Sequence, residues 1–174
     1  MRVDERGFRG LVEEHQSMVF SIALRMLGDR GAAEEVAQDV FVELHDALGR
    51  LESGEHVRFW LRRVAVHRAT DCLRRRRVRP ETFAEEWTEQ HCDGVPSGVS
   101  TNDAVGTRLE RMLLSLPEAM RAAVVLRYQE EMTPAEIAGV LAQPLATVKS
   151  NLQRGLEMLR RKAEVVLKEF VRER

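Results

Sequence analysis

The sequence has few cysteines, few aromatic residues and no long apolar run. Its two cysteines, Cys72 and Cys92, show no metal-ligand spacing, and a disulfide is not expected in a reducing compartment. No apolar run approaches the roughly 20 residues that a membrane-spanning helix needs. The amino-terminal stretch MRVDERGFRG is too charged for a secretory signal. We therefore expect a cytoplasmic protein with no membrane insertion.

The sequence also lacks the residue constellations of an enzyme. It contains no nucleophile paired with a base, no metal-ligand spacing and no glycine-rich phosphate loop. His91 beside Cys92 is interpreted as part of a loop rather than as half of a zinc site. The sequence therefore predicts no catalytic residue, metal, cofactor or small-molecule substrate. Its 174 residues are enough for one medium or two small domains.

Charge of both signs is plentiful but unevenly distributed. The net charge is −1, from 27 Lys and Arg against 28 Asp and Glu. Residues 1–79 hold 15 basic and 13 acidic residues, 80–107 hold none and six, and 108–174 hold 12 and nine. The middle segment also loses helical periodicity and gains Pro, Gly, Ser and Thr. We therefore predict two small helical domains, residues 1–79 and 108–174, joined by a flexible acidic linker over 80–107.

Three amphipathic helices are predicted in the first domain, over 7–27, 32–48 and 57–77. The second carries an acidic stripe opposite its apolar face, and residues 32–48 contain no Lys or Arg. Because acids four residues apart repel one another slightly, the stripe suits a basic partner, and a merely solvated face is the alternative. The stripe consists of Glu35, Asp39, Glu43 and Asp46.

The third predicted helix concentrates arginine. Nine Arg and one acid, Asp71, lie between Arg58 and Arg79, close to Phe59 and Trp60. Cations beside aromatic rings suit a single-stranded or melted nucleic acid, because its phosphates need neutralising and its unstacked bases stack on flat side chains. A solvated charged surface is again the alternative.

A helix–turn–helix pattern occupies residues 133–162. Thr133, Pro134 and Glu136 predict a helix that starts with a capping box, and Gln143-Pro144 ends this helix and starts another. One face of the second helix offers donors and acceptors for base edges, with cations for phosphates. This face consists of Thr147, Lys149, Ser150, Asn151, Gln153 and Arg154.

These pieces, in this order, resemble a sigma factor of bacterial RNA polymerase, of the compact extracytoplasmic-function branch with two domains. The resemblance covers residues 7–165 and rests on three motifs. AEEVAQDVFVEL at 33–44 resembles the segment that binds the polymerase clamp, and VRFWLRRVAVHRATDCLRRRR at 57–77 resembles the promoter-melting segment. LPEAMRAAVVLRYQEEMTPAEIAGVLAQPLATVKSNLQRGLEMLR at 116–160 resembles the reader of the upstream element.

The resemblance implies an all-α fold, with a three- to four-helix region 2 bundle and a helix–turn–helix region 4. Region 2 would bind the clamp helices of the largest polymerase subunit and open the minus-10 element, while region 4 would bind the flap of the second-largest subunit and read the minus-35 element of promoter DNA. Polymerase-binding residues would be Glu35, Gln38, Asp39, Glu43 and Asp46. Minus-10 residues would be Leu51, Glu52, Ser53, Arg58, Trp60, Arg62, Arg63, His67 and Arg68. Minus-35 residues would be Thr147, Lys149, Ser150, Asn151, Gln153 and Arg154.

Members of this family often have an anti-sigma partner that occludes both domains, so the resemblance implies an anti-sigma factor as a further candidate partner. Three positions depart from the family pattern. Leu51 stands where some relatives have an aromatic residue in the base-capturing loop, and His67 stands where many have Asn. Asn151 occupies a position that is often Arg. Because Asn favours adenine when it faces a base, a shifted minus-35 sequence is expected.

Two other functions fit parts of the sequence. A stand-alone helix–turn–helix regulator would use its N-terminal half for effector binding or dimerisation and would bind a palindromic operator without polymerase. The acidic stripe, the Arg-rich helix and the linker have no role in that hypothesis. An adaptor that binds only protein would tolerate Gln at Arg62, Arg63 and Arg68.

Overall fold

The computed structural model describes residues 5–78 and 103–172 of the chain. The chain divides into two compact units, Met1–Val95 and Pro96–Arg174. Within the described residues every regular element is helical, with seven α-helices and one short 3₁₀ helix. The all-α fold predicted from the sequence is therefore confirmed. Residues 80–102 of the predicted linker lie outside the described residues.

Three helices form the first unit: α1 (Glu5–Leu27), α2 (Arg30–Ala47) and α3 (Gly54–Val78), with a 3₁₀ helix, η1 (Leu48–Arg50), after α2. Each of the three contacts the other two. Apolar residues three or four apart on each helix meet in one shared core. Its fully buried members include Val19, Ile22, Met26, Val40, Leu44, Val57 and Leu61.

A side-chain cap starts α2 earlier than the apolar pattern indicates. Asp29 accepts a hydrogen bond from the backbone amide of Ala32 at 2.7 Å. This bond satisfies one of the amides that a first helical turn leaves without an intrahelical acceptor. The helix therefore begins at Arg30 rather than at Ala32.

The start of α3 is shifted for the same reason. Ser53 Oγ accepts a hydrogen bond from the backbone amide of His56 at 3.2 Å, and the Val57 amide donates to the Ser53 carbonyl at 2.9 Å. The helix begins at Gly54, three residues before the predicted start. The loop predicted over 49–56 is correspondingly shorter, because η1 and the first turn of α3 occupy most of it.

One histidine is buried in the core of the first unit. His15, on α1, is 4% exposed. Burial lowers the pKa of His15; the charge of Glu14 opposes this shift, and the cations Arg58 and Arg62 reinforce it. The imidazole is therefore uncharged near neutral pH, as a buried position requires.

Four helices form the second unit: α4 (Asp103–Leu114), α5 (Glu118–Tyr128), α6 (Pro134–Leu141) and α7 (Leu145–Arg172). Helix α7 is the centre of this unit, because α4, α5 and α6 all contact it. The buried residues again recur at helical spacing. They include Leu113, Leu116, Ala123, Val125, Leu126, Met132, Ile137, Val140 and Val148.

The first helix of the second unit begins inside the segment that the sequence assigns to the linker. Residues 103–107 belong to α4, although Gly106 interrupts the helical pattern there. A single glycine in a helix costs only about 1 kcal/mol relative to alanine. That cost is too small to end a helix that carries Leu113 into the core.

The helix–turn–helix follows the predicted pattern. The Thr133 amide donates to Glu136 Oε2 at 2.7 Å, and the Glu136 amide donates to Thr133 Oγ1 at 3.3 Å. Together these bonds form the predicted capping box. Helix α6 ends at Leu141 and is capped by Ala142, whose backbone is left-handed with φ of 50°, and Pro144 precedes α7.

Helix α7 packs closely against α5 at Gly155. A Cβ atom placed on Gly155 would lie 3.1 Å from Val124 Cγ2 and 3.5 Å from Met120 Cβ. Glycine is otherwise unfavourable inside a helix, because it loses more backbone entropy on folding than other residues. Its presence in α7 is therefore explained by the close contact between the two helices.

The left-handed backbone of Ala142 predicts a stabilising substitution. An L-residue in this conformation is strained and glycine is not, so Ala142→Gly should raise the unfolding free energy of the second unit by about 1 kcal/mol. The matched control is Ala138→Gly inside α6, which should lower it by about 1 kcal/mol. Hydrogen exchange of the α6 and α7 amides measures both effects. Equal signs for the two variants would contradict the assignment.

Candidate functional site

The acidic stripe lies on the surface of α2, as the sequence predicts. Glu35, Gln38, Asp39 and Asp46 are exposed, whereas the side chain of Glu43 is 35% exposed. Because residues four apart on a helix lie one above the other, these side chains share one side of α2. The described part of the chain thus presents an acidic surface next to the α1–α2 contact.

An apolar groove of about 990 Å³ runs beside this acidic surface, between α1 and α2. Phe8 meets the ring of His45 edge-on, with centroids 5.3 Å apart, and the Arg30 guanidinium lies 5.8 Å from the centroid of Phe20. The groove shares Gln38 and Asp46 with the acidic surface. Its other lining residues are Val12, Gln16, Ser17, Glu34, Ala37, Phe41 and Val42.

Sequence reasoning missed this groove. It predicted amphipathic helices with one apolar face each, but Phe8, Val12 and Phe41 are only partly buried. The available signal is the pair Phe41-Val42, because neighbouring residues on a helix point about 100° apart and a narrow core-facing stripe does not hold two large ones. Val42 is 66% exposed. The pair therefore indicated apolar side chains beyond the core face of α2.

Carboxylates from the bundle pair with several arginines of α3. Arg68 forms an ion pair with Glu43 of α2, across the helix interface. Within α3, Arg74 pairs with Asp71 at 2.9 Å. The acidic stripe was predicted to suit a basic partner, and for Glu43 one such partner is Arg68 of the same chain. Local helix rules cover only residues three or four apart on one helix, so they could not reveal a pair between helices.

The end of α3 is tied to the start of α2. Arg76 lies 3.6 Å from Asp29, and the two side chains are only 21% and 19% exposed. Asp29 therefore both caps α2 and faces a cation of α3. At least one arginine of the Arg74–Arg77 run thus stabilises the bundle rather than facing a ligand.

A second, smaller groove of about 340 Å³ opens on α3, beside Arg68. Burial lowers the pKa of His67; the Arg63 cation lowers it further, and Asp71 opposes the shift. His67 is therefore uncharged near neutral pH. The lining residues are Glu43, Trp60, Arg63, Val64, His67, Arg68 and Asp71. Four residues predicted to contact the minus-10 strand, Trp60, Arg63, His67 and Arg68, thus lie together.

The loop before α3 differs from the prediction at one residue. Leu51 is only 3% exposed and packs into the core, so its side chain is not on the DNA-facing surface. An apolar residue in a short loop lowers the free energy most by being buried. The prediction that Leu51 contacts DNA is therefore wrong in this structure. Glu52 and Ser53 are exposed, and Ser53 also caps α3.

The predicted recognition face lies on the first turns of α7. Thr147, Lys149, Gln153 and Arg154 are exposed, whereas Ser150 and Asn151 are half-buried. The six side chains thus share one region of the second unit. Arg154 and Lys149 supply its positive charge.

Two side-chain contacts bear on this face. Asn151 Nδ2 lies 3.5 Å from Gln143 Oε1, in the turn before α7. Gln153 Nε2 donates to Glu157 Oε1 at 3.1 Å. Gln143 was predicted only as a helix boundary, and its position beside Asn151 adds it to the residues near the recognition face.

No cluster of three or more metal-ligating side chains occurs in residues 5–78 and 103–172. No helix within those ranges is long and apolar enough to cross a membrane. His91 and Cys92 lie outside the described residues, as do the linker acids.

Comparison with known families identifies both units. The family model for sigma-70 region 2 matches residues 11–79, and the model for sigma-70 region 4 matches residues 107–159. The chain belongs to the sigma-70 family. The two matches also account for the acidic helix, the Arg-rich helix and the helix–turn–helix in one protein, so the stand-alone regulator and the adaptor are set aside.

The relatives are sigma factors of the extracytoplasmic-function (ECF) type. The chain is 28% identical over 167 residues to ECF RNA polymerase sigma factor SigW of Bacillus subtilis, covering 91% of this chain and 89% of that protein. It is 32% identical over 152 residues to ECF RNA polymerase sigma factor SigE of Mycolicibacterium smegmatis, covering 86% and 59%. As a sigma factor of this type it is a transcription initiation factor and not an enzyme.

Solved structures share the fold. The sigma factor RpoE of Bartonella quintana, crystallised with the anti-sigma factor NepR, matches with a TM-score of 0.72 at 16% identity, over 91% of this chain and 97% of that one. CnrH, in complex with the cytosolic domain of CnrY, matches with a TM-score of 0.64 at 20% identity, over 93% and 90%. At these identities the likeness concerns the fold alone.

The contact between Arg76 and Asp29 predicts a stability difference within the Arg run. Arg76→Gln should lower the unfolding free energy of the first unit by about 1 kcal/mol, because it leaves a largely buried carboxylate without this cation. The control Arg75→Gln removes the same charge from an exposed position and should change it by less than about 0.5 kcal/mol. Hydrogen exchange of the α1–α3 amides measures the difference. Equal losses for the two variants would refute a special role for Arg76.

Proposed function

We propose that this sigma factor binds core RNA polymerase through α2 and the apolar groove beside it. The observation that supports this best is the combination of the acidic stripe on α2, whose residues 32–48 include no Lys or Arg, and an open apolar groove that shares Gln38 and Asp46 with it. An apolar groove rimmed by polar side chains is a typical feature of a protein-interaction site. The proposed contact residues are Glu35, Gln38, Asp39, Glu43 and Asp46.

The fitting partner is a basic, partly apolar helical surface, which we take to be the clamp helices of the largest polymerase subunit. Opposite charges would steer the encounter and set the register, while burial of the aromatic groove would supply affinity. The flap of the second-largest subunit is the proposed contact of the second unit. Because polymerase and chromosome share one compartment, the protein would act in the cytoplasm.

The groove on α3 is the proposed site for the melted minus-10 strand. Its cations Arg63 and Arg68 can neutralise phosphates, and Trp60 offers a ring for stacking at one wall. The exposed side chains of Arg58, Glu52 and Ser53 lie at the start of α3, where they would contact flipped bases. Arg62 does not line this groove; it lies on the side of α3 that faces His15 of α1, and its contact with the strand stays a prediction. Leu51 supports this loop from the core instead of contacting bases.

The first turns of α7 are the proposed reader of the minus-35 element. An α-helix fits the major groove of duplex DNA, and polar side chains on its exposed face can reach base edges. Lys149 and Arg154 would contact phosphates. The remaining contacts are assigned to Thr147, Ser150, Asn151 and Gln153.

An anti-sigma protein is a proposed regulator. The sigma factor of Bartonella quintana that shares this fold was crystallised with one. The apolar groove and the cationic face are both exposed in the described part of the first unit and would be available to such a partner.

The proposal predicts polymerase binding that depends on α2. Mixed with core polymerase and a promoter library, the chain should co-elute with the enzyme and direct specific run-off transcripts. The double variant Glu35→Gln with Asp39→Asn should weaken co-elution at least about tenfold, because it removes two charges from the acidic surface.

The matched control is Glu13→Gln with Glu110→Gln, which removes two exposed charges from α1 and α4. It should co-elute like the unsubstituted chain. Failure of the unsubstituted chain to co-elute and to yield transcripts would overturn the proposal. Equal weakening in both double variants would show that polymerase binding depends on the net charge of the chain and not on the α2 surface.

A second prediction concerns the minus-35 reader. Asn151→Arg should shift the preferred base at one minus-35 position towards guanine, by about 1–3 kcal/mol, because Arg pairs bidentately with guanine. Selection from a randomised minus-35 library measures the shift. The control Val165→Arg adds the same charge to an exposed position farther along α7 and should leave base preference unchanged. An unchanged base preference in Asn151→Arg would show that Asn151 does not contact a base of the minus-35 element.

A further inference from the structure

Glu43 belongs to two surfaces at once. It is the third acid of the stripe on α2, four residues after Asp39, and it also lines the smaller groove on α3. Its carboxylate forms an ion pair with Arg68, which is one of the two arginines of that groove. A residue of the proposed polymerase-binding surface is thus held by a residue of the proposed DNA-binding groove.

The ion pair changes the charge that the groove presents. Arg63 and Arg68 bring two positive charges, and Glu43 and Asp71 bring two negative charges. The lowered pKa of His67 leaves it uncharged near neutrality. The lining side chains therefore carry no net charge, although all of them except Glu43 lie on the Arg-rich helix α3. A phosphate that approaches Arg68 must compete with the carboxylate of Glu43.

We propose that Glu43 masks Arg68 in the free protein and that core polymerase releases it. A basic surface that docks on the acidic stripe attracts Glu43, so Arg68 becomes more available to a DNA phosphate after docking. Glu43 is then a positioning residue that couples the two binding events. This inference rests on the proposed function and adds a regulation that the assignment of the two surfaces does not contain.

The strength of the pair fits such a switch. Both side chains are between one third and two fifths exposed, at 35% for Glu43 and 39% for Arg68. An ion pair with this much solvent contact is weak enough for a competing cation to break. The coupling is also reciprocal, so DNA bound at Arg68 must strengthen polymerase binding by the same factor.

The test measures how the free full-length chain binds a labelled, random-sequence single-stranded DNA 20-mer, by fluorescence anisotropy at several salt concentrations. Glu43→Gln should tighten binding about two- to fivefold relative to the control Glu13→Gln, which removes an exposed charge from α1. It should also steepen the dependence of log K on log salt by about 0.7, the slope of one added single-strand phosphate contact.

The second half of the test uses Arg68→Gln. In this background Glu43→Gln should behave like Glu13→Gln, because there is no masked cation left to release. With core polymerase bound, the unsubstituted chain and Glu43→Gln should bind the 20-mer equally, since docking has already drawn Glu43 away. Both results support the masking mechanism.

Three outcomes overturn the inference: no difference between Glu43→Gln and Glu13→Gln, a gain that persists with Arg68→Gln, or an unchanged salt slope. If one of these outcomes occurs while the unsubstituted chain still co-elutes with polymerase and directs transcripts, the inference about Glu43 fails and the proposed function stands. If Arg63→Gln also leaves binding of the 20-mer unchanged, the groove on α3 is not the DNA site, and the proposed minus-10 assignment falls with it.

Discussion

The concentration of positive charge on α3 is the constraint on which the first unit depends. One side of this helix carries Val57, Leu61, Ala65 and Ala69 into the core, while its remaining sides and its end are crowded with arginine. Like charges this close oppose formation of the helix. The unit resolves the conflict by bringing carboxylates to α3 from its own sequence and from α2.

These carboxylates divide the arginines into two groups. Arg76, at the end of the helix, is held against Asp29 in a mostly buried contact, and this contact also fastens the start of α2. Arg68, nearer the middle, is held in a contact that solvent reaches. The first arrangement favours a fixed bundle, and the second favours exchange with another partner. Burial thus separates a structural cation from one available to a ligand, which composition alone does not do.

Much of the fold was predictable because it depends on local rules. Apolar spacing predicted the helices, and the residue types around Thr133 and Pro144 predicted the turn between α6 and α7. The caps at Asp29 and Ser53 follow from the same chemistry, but each lies before the first apolar residue of its helix. Apolar periodicity alone therefore predicts a start that is too late for both α2 and α3.

The candidate site was predictable as residue types but not as a set of contacts. The sequence indicated an acidic surface, a cationic helix and a polar recognition face, and these lie on α2, α3 and α7. It did not reveal that Glu43 and Arg68 meet, because a contact between residues so far apart in sequence depends on the crossing of two helices. It also misplaced Leu51, because only the packed structure shows which loop residue is buried.

The close contact between α5 and α7 limits which substitutions this sequence can accept. The space beside Gly155 is already filled by Val124, so the two positions share one fixed volume. A methyl group gained at position 155 would crowd Val124 unless a smaller side chain stands at 124 or α5 and α7 separate slightly. The side chain at position 124 therefore limits which residues position 155 can accept.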